Sequence, residues 1–211
     1  MTLPKSRTRP TPVRLPDDVR LALRRYFPTE VSARSAAYYA LPEHLALLRL
    51  RSEAESRMLR WNDVAEDLKK DLGNLAIRVN ECTAFTNSYE MEVLLHEDTP
   101  FPDEDVALFE VIKPPIRTAR LAASFLLPYW TIAFQRQRQD RDGNIIIDPA
   151  PQSGKHSTRV LNAAKKALRK HGWKKMPPNM AQTKVPDLDL EYVEQGQVRI
   201  ADIVFGDLHA L

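Results

Sequence analysis

Cysteine occurs once in the 211 residues and glycine only six times. A single cysteine rules out an intrachain disulfide framework and any multi-cysteine zinc site. The glycines are scattered, and no two lie close enough to build a phosphate-cradling loop, so Rossmann and P-loop nucleotide chemistry is excluded. Ser153-Gly154-Lys155-His156-Ser157 resembles the end of a P-loop only superficially. Pro149 stands where the first glycine belongs, and a histidine follows the lysine. Long apolar runs are also missing, with nothing near the roughly 20 residues of a membrane-spanning helix. The opening stretch, Met1 to Pro16, is basic and proline-containing but has no apolar core of the kind a secretory signal carries. The expectation is a soluble cytoplasmic protein with no cofactor and no membrane partner. The five histidines show neither His-Glu-x-x-His spacing nor any i, i+4 pair, and Cys82 reads as a small buried hydrophobe.

Charge is plentiful and unevenly placed. Net charge is only +3. Yet residues 79–112 hold nine acids and no Lys or Arg, while residues 149–186 hold nine Lys or Arg and no acid. A second basic block opens the chain, from Lys5 to Arg25. Such polarity suits an anionic partner, or acidic and basic stretches that face each other within the fold.

Three regions follow from the pattern: a flexible basic arm over 1–15, a helical region over 16–73 and an α+β region over 74–211, packed with the helices as one domain. Pro16 with Asp17 and Asp18 starts a helix ending near Phe27. A second helical stretch is expected over Glu30–Ala40. The strongest periodicity is a 4-3 alternation through Leu47, Arg51, Ala54, Met58, Trp61, Ala65, Leu68, Leu72, Leu75, Val79 and Cys82. That is a heptad-like seam. Met58, Trp61, Ala65, Leu68 and Leu72 are therefore candidate partner-contact residues. Gly73-Asn74 after two lysines has the composition of a helix end, which favours a helix to Gly73 and a strand from Leu75 over a single long rod.

Tyr89–Leu95, Val106–Ile112 and Ser124–Gln139 read as strands. Asp142-Gly143 predicts a hairpin between Gln135–Arg141 and Asn144–Asp148. Beyond Phe134 both faces of its first strand are expected to be wet. Thr158–His171 is an amphipathic helix with Val160, Leu161, Ala164 and Leu168 inward, capped by Ser157 or Thr158. Asp187–Phe205 reads as two final strands about a Glu194–Gln197 turn. The expected class is α+β: a helical N-terminal half with a heptad-like helix, then a mostly antiparallel sheet with one basic amphipathic helix across it.

The basic helix and its flank, residues 158–175, supply the best local functional feature. Arg159, Lys165, Lys166, Arg169, Lys170, Lys174 and Lys175 have no acid in the same segment to pair with, so an external anion would relieve their repulsion. Arg136 and Arg138 extend this candidate anion or nucleic-acid contact. Asp103, Glu110 and Lys113 loosely resemble an Asp…Glu-x-Lys nuclease triad, but the Glu-x-x-Lys spacing puts the last two on opposite faces of a strand. The acids around His96–Asp105 read as a solvated loop rather than a cation site. Weighing these, the sequence favours a non-enzymatic interaction or assembly subunit of a larger bacterial or viral complex, with a protein partner or a second copy on the seam and a charged docking face. The alternatives are a nucleic-acid-backbone-binding subunit, a small neutralising (immunity-like) protein and a metal-dependent nuclease.

Overall fold

A computed structural model describes residues 15–29, 31–80, 86–102 and 105–206. Residues 1–14 of the arm, Cys82 and the acids Glu81, Asp103 and Glu104 lie outside the described residues. Helix α1 (Asp17–Tyr26) follows Pro16, with Asp17 and Asp18 in its first turn and Arg24 and Arg25 in its last, as the helix dipole favours. The second expected helix is instead a bend followed by a short 3₁₀ turn at Ala36–Ala40, which the Ser35 side chain caps by accepting from the Ala37 N–H. The seam runs through two helices, α2 (Pro42–Ser56) and α3 (Met58–Leu72), separated at Arg57. Helix α3 ends at Gly73, whose φ of 57° is the left-handed conformation that suits glycine, and β1 (Leu75–Asn80) begins two residues on.

Five strands form an antiparallel meander in chain order: β1, β2 (Ser88–Glu97), β3 (Ile116–Ser124), β4 (Tyr129–Gln139) and β5 (Ile145–Pro149). Helix α4 (Asp105–Val111) lies between β2 and β3, and α5 (Lys155–Lys170) follows β5. A two-residue β6 (Lys174–Lys175) then pairs parallel with Tyr129 and Trp130 of β4. Short helices α6 (Pro178–Ala181) and α7 (Ile200–Phe205) complete the described chain. This is an α+β fold. Among the described residues no helix is long and apolar enough to cross a membrane.

Both faces of the sheet are covered, so β2 is buried over eight consecutive residues instead of alternating. On one face α3 and α5 pack Trp61, Leu68, Leu72, Val160 and Leu168 against Tyr89, Met91, Leu121 and Trp130. The opposite face is covered at one end by α4, through Leu108 and Ile112 on Leu94 and Ile116. At the other end α1 and α7 meet Ala122 and Tyr129. Between them runs a buried polar band. Arg120 grips Glu90 through Nε (3.0 Å) and Nη2 (2.5 Å), and Arg78 meets Glu92 at 2.6 Å.

The structure departs from several of these expectations. Residues 106–111 of the expected Val106–Ile112 strand fall in α4 and Ile112 follows directly, its N–H donating to the Leu108 carbonyl, because Leu108 and Ile112 are a helical turn apart and seal one end of the sheet. Ser124–Gln139 is not continuous: Ser124 closes β3, and β4 begins at Tyr129. The tail forms α7 and isolated bridges, Lys184 with Arg199 and Leu190 with Val193, in place of two strands. Gln135 and Gln137 are buried under the second layer and are not wet. The seam is interior as well. Trp61, Ala65, Leu68 and Leu72 are at most 2% exposed in the same core as β2 and β3, with Met58 packed against it, so the chain's own sheet takes the place expected for a partner.

Candidate functional site

Helix α5 buries one stripe, Val160, Leu161, Ala164 and Leu168 as expected, with Ala163 and Ala167 beside it. Its residues from Lys155 to Lys170 include six Lys or Arg and no acid, and its outer face presents Asn162, Lys165, Lys166, Arg169 and Lys170 around a shallow depression. Ser157 and Thr158 do not cap it. The helix starts earlier, at Lys155, so their hydroxyls fall inside the first turn and donate back to the carbonyls of Ser153 and Gly154.

The charges of α5 find acids on its neighbour, which a segment-by-segment reading cannot reveal. Helix α3 lies alongside and supplies Asp67 and Asp71. Lys166 donates to Asp71 at 2.8 Å, and Lys170 donates to Asp67 at 2.6 Å. His171 lies 3.0 Å from Asp67 through Nε2. Lys170, His171 and Lys70 together hold the Asp67 carboxyl well below the usual carboxylate range. Arg159 reaches the C-terminal end of α3, where its Nε donates to the Asp71 carbonyl at 3.2 Å, a favourable place for a cation. A Cβ on Gly73 would lie 3.1 Å from Arg159 Nη2.

The other candidate cations divide the same way. Arg138 and Arg136 share Asp148 of β5, at 3.0 and 3.7 Å. Lys174 lies over the Tyr129 ring, with its Nζ 4.6 Å from the centroid and 4.0 Å from Asp18. Lys165, Arg169 and Lys175 make no ion pair among the described residues. Lys175 sits 5.8 Å over Trp130, and partial burial together with Lys165 lowers its affinity for a proton. The face is thus a partly neutralised ridge, with Lys165 and Arg169 as its free outward cations.

Elsewhere the chemistry is sparse. No group of three or more His, Cys, Asp or Glu among the described residues has the arrangement of a metal site. Glu110 and Lys113 sit at and beyond the end of α4, and Asp103 lies outside the described residues. His96 accepts from the Arg117 N–H at 3.2 Å, and burial with Arg117 and His156 nearby lowers its proton affinity. His44 is buried against Tyr38 and Tyr39, with its Nδ1 unpartnered.

One feature went unread in the sequence. A cleft of about 400 Å³ opens along the outer edge of β4, between the end of β5 and β6, with α6 and α7 as its far wall. Its signal was arithmetic. A hairpin partner of five residues cannot cover an eleven-residue strand, so part of the β4 edge must be left for something else.

Comparison with known proteins adds no assignment: no family model, no curated protein and no solved structure matches the chain.

Proposed function

We propose that the protein is a non-catalytic interaction subunit that docks an acidic segment of a protein partner on the outer face of α5. The observation that carries this reading is the ridge itself. Lys166 and Lys170 are held in place by Asp71 and Asp67, and Lys165 and Arg169, each next to one of them in the helix, are exposed and unpaired among the described residues. Held cations lose less side-chain entropy on binding, which favours a defined docking geometry. The helical seam drops out of the proposal because it is internal. A cytoplasmic setting, and membership of a larger assembly, belong to the same proposal.

A nucleic-acid backbone is the weaker reading, on the evidence of α3. Asp67 and Asp71 flank the ridge within a few ångströms of its cations, less than the Debye length of about 8 Å at physiological salt, and would repel a continuous phosphate chain. A short acidic segment whose carboxylates meet Lys165 and Arg169 alone avoids them. The deciding experiment measures binding of a fluorescent glutamate-rich peptide and of single- and double-stranded oligonucleotides to the whole chain at low and moderate salt. Peptide binding that disappears in K165E/R169E supports the proposal. Oligonucleotide binding that is stronger than peptide binding, with a steep salt dependence, replaces it by the nucleic-acid reading. Indifference of both probes to the double variant overturns the ridge as a docking face.

A further inference from the structure

The β4 edge cleft combines three features of a small-ligand site: an unpaired strand edge, an uncompensated cation and apolar walls. Along β4 the peptide groups of alternate residues point away from β3. The carbonyl of Trp130 accepts from the Met176 N–H at 2.9 Å, and the carbonyl of Phe134 accepts from the Ala150 N–H at 2.8 Å. Ile132 lies midway between them and has the same parity, so its N–H and C=O face the cleft. The two flanking bonds are four residues apart, about 13 Å along the strand. The gap is too short for a long added strand, and it is the right size for one residue.

The walls suit an apolar group. Phe134, Pro149, Met176, Pro178 and Phe205 line the space, and its volume falls within the usual range for small-molecule sites, roughly 300 to 1,000 Å³. Lys175 stands at the rim, and no carboxylate among the described residues pairs with it. Asp202, the acid on the far wall, is already held by Arg199 at 3.0 Å. An anion entering the cleft therefore meets one open positive charge and a neutralised pair.

We propose that this cleft binds an N-acylated apolar amino acid with a free carboxylate. In an antiparallel hydrogen-bonded pair, two residues exchange both N–H···O bonds. The ligand N–H donates to the Ile132 carbonyl, and one carboxylate oxygen accepts from the Ile132 N–H. The second carboxylate oxygen meets the Lys175 ammonium, and the apolar side chain, on the same sheet face as its pairing partner Ile132, packs beside Ile132, Phe134 and Ala150. Partial burial and the neighbouring Lys165 disfavour the charged form of Lys175, and a carboxylate beside it would offset both.

The same chemistry is offered by a free acylated amino acid and by the C-terminal residue of a polypeptide, and the test separates the two. The ¹⁵N-labelled full chain is titrated with N-acetyl-leucine, with its methyl ester and with a pentapeptide ending in a free leucine. The expected result is a saturable shift of the Ile132 amide resonance with N-acetyl-leucine, weakened about tenfold or more by the ester and by K175M. Ala181→Phe, which fills the cleft, should abolish it. Lys175 is exposed, so K175M retains the fold even if the Ala181 variant does not. A pentapeptide that binds as well as or better than N-acetyl-leucine assigns the site to polypeptide C-termini; a pentapeptide that fails assigns it to the free compound. The proposal is overturned if N-acetyl-leucine gives no saturable shift at Ile132, or if the ester or K175M binds equally well.

Discussion

Replacing Arg120 with methionine strands a carboxylate under the second layer of the sheet. The Glu90 side chain is 7% exposed and Arg120 is 23% exposed, and the guanidinium supplies two hydrogen bonds, at 3.0 and 2.5 Å. Among the described residues the only other side-chain donor to the carboxylate is the Ser88 hydroxyl at 3.4 Å, which is too long to compensate. Removing one member of a buried pair typically costs about 3 to 5 kcal/mol, and the partial exposure of Arg120 places R120M near the lower end, about 3 kcal/mol. Each kcal/mol moves the midpoint of a protein of this size by about 2 to 4 °C, so R120M should melt roughly 6 to 12 °C below the parent. The cost lies in the unpaired charge and not in the lost contact. Adding Glu90→Gln to R120M should therefore recover more than half of it, since a neutral amide needs far less solvation. Urea denaturation at pH 7, followed by circular dichroism, measures all three proteins. A loss below about 1 kcal/mol in R120M, or no recovery in the double variant, would refute the argument that this band is desolvated and paired.

Asp67→Asn should destabilise the protein at neutral pH. Because the folded state depresses the Asp67 pKa, the stability it adds is present above about pH 4 and lost as pH falls further, so the gap between the two proteins in urea melts should narrow in acid. Gly73→Ala combines a strained φ of 57° with a 3.1 Å approach to Arg159, and should cost about 1 to 2 kcal/mol in the same assay. Leu68→Ala removes a fully buried side chain and should cost about 2 to 5 kcal/mol, with no change in oligomeric state by sedimentation. Burial, with Glu191 nearby, pushes the Tyr38 phenol up to about 12. A phenol with a raised folded pKa stabilises the fold below its unfolded value near 10 and loses that contribution as pH rises towards 12; Tyr39 and Tyr129 are raised as well, so spectrophotometric titration should show a late-titrating component from which Y38F removes one tyrosine.

Local chemistry was legible wherever a few neighbouring residues decide the backbone. Pro16 with two acids starts α1, Gly73 ends α3, Asp142-Gly143 turns the β4–β5 hairpin, and the 3.6-residue stripe of Val160, Leu161, Ala164 and Leu168 sets the inner face of α5. Each is a question of φ, of a dipole or of periodicity, and each is answered within one or two turns of chain. Periodicity alone could not say what the α2–α3 seam packs against, because a heptad stripe satisfies a sheet as well as another helix. Only the meander, by placing Met91, Leu121 and Trp130 opposite Leu68 and Trp61, made the seam internal. The acids that steady α5 are about a hundred positions away on α3, and the arginines that neutralise Glu90 and Glu92 come from β3 and β1. The β4 cleft exists because β5 and β6 each cover part of one edge and stop. Charge compensation and concavity arise between elements distant in sequence, so tertiary structure decided them.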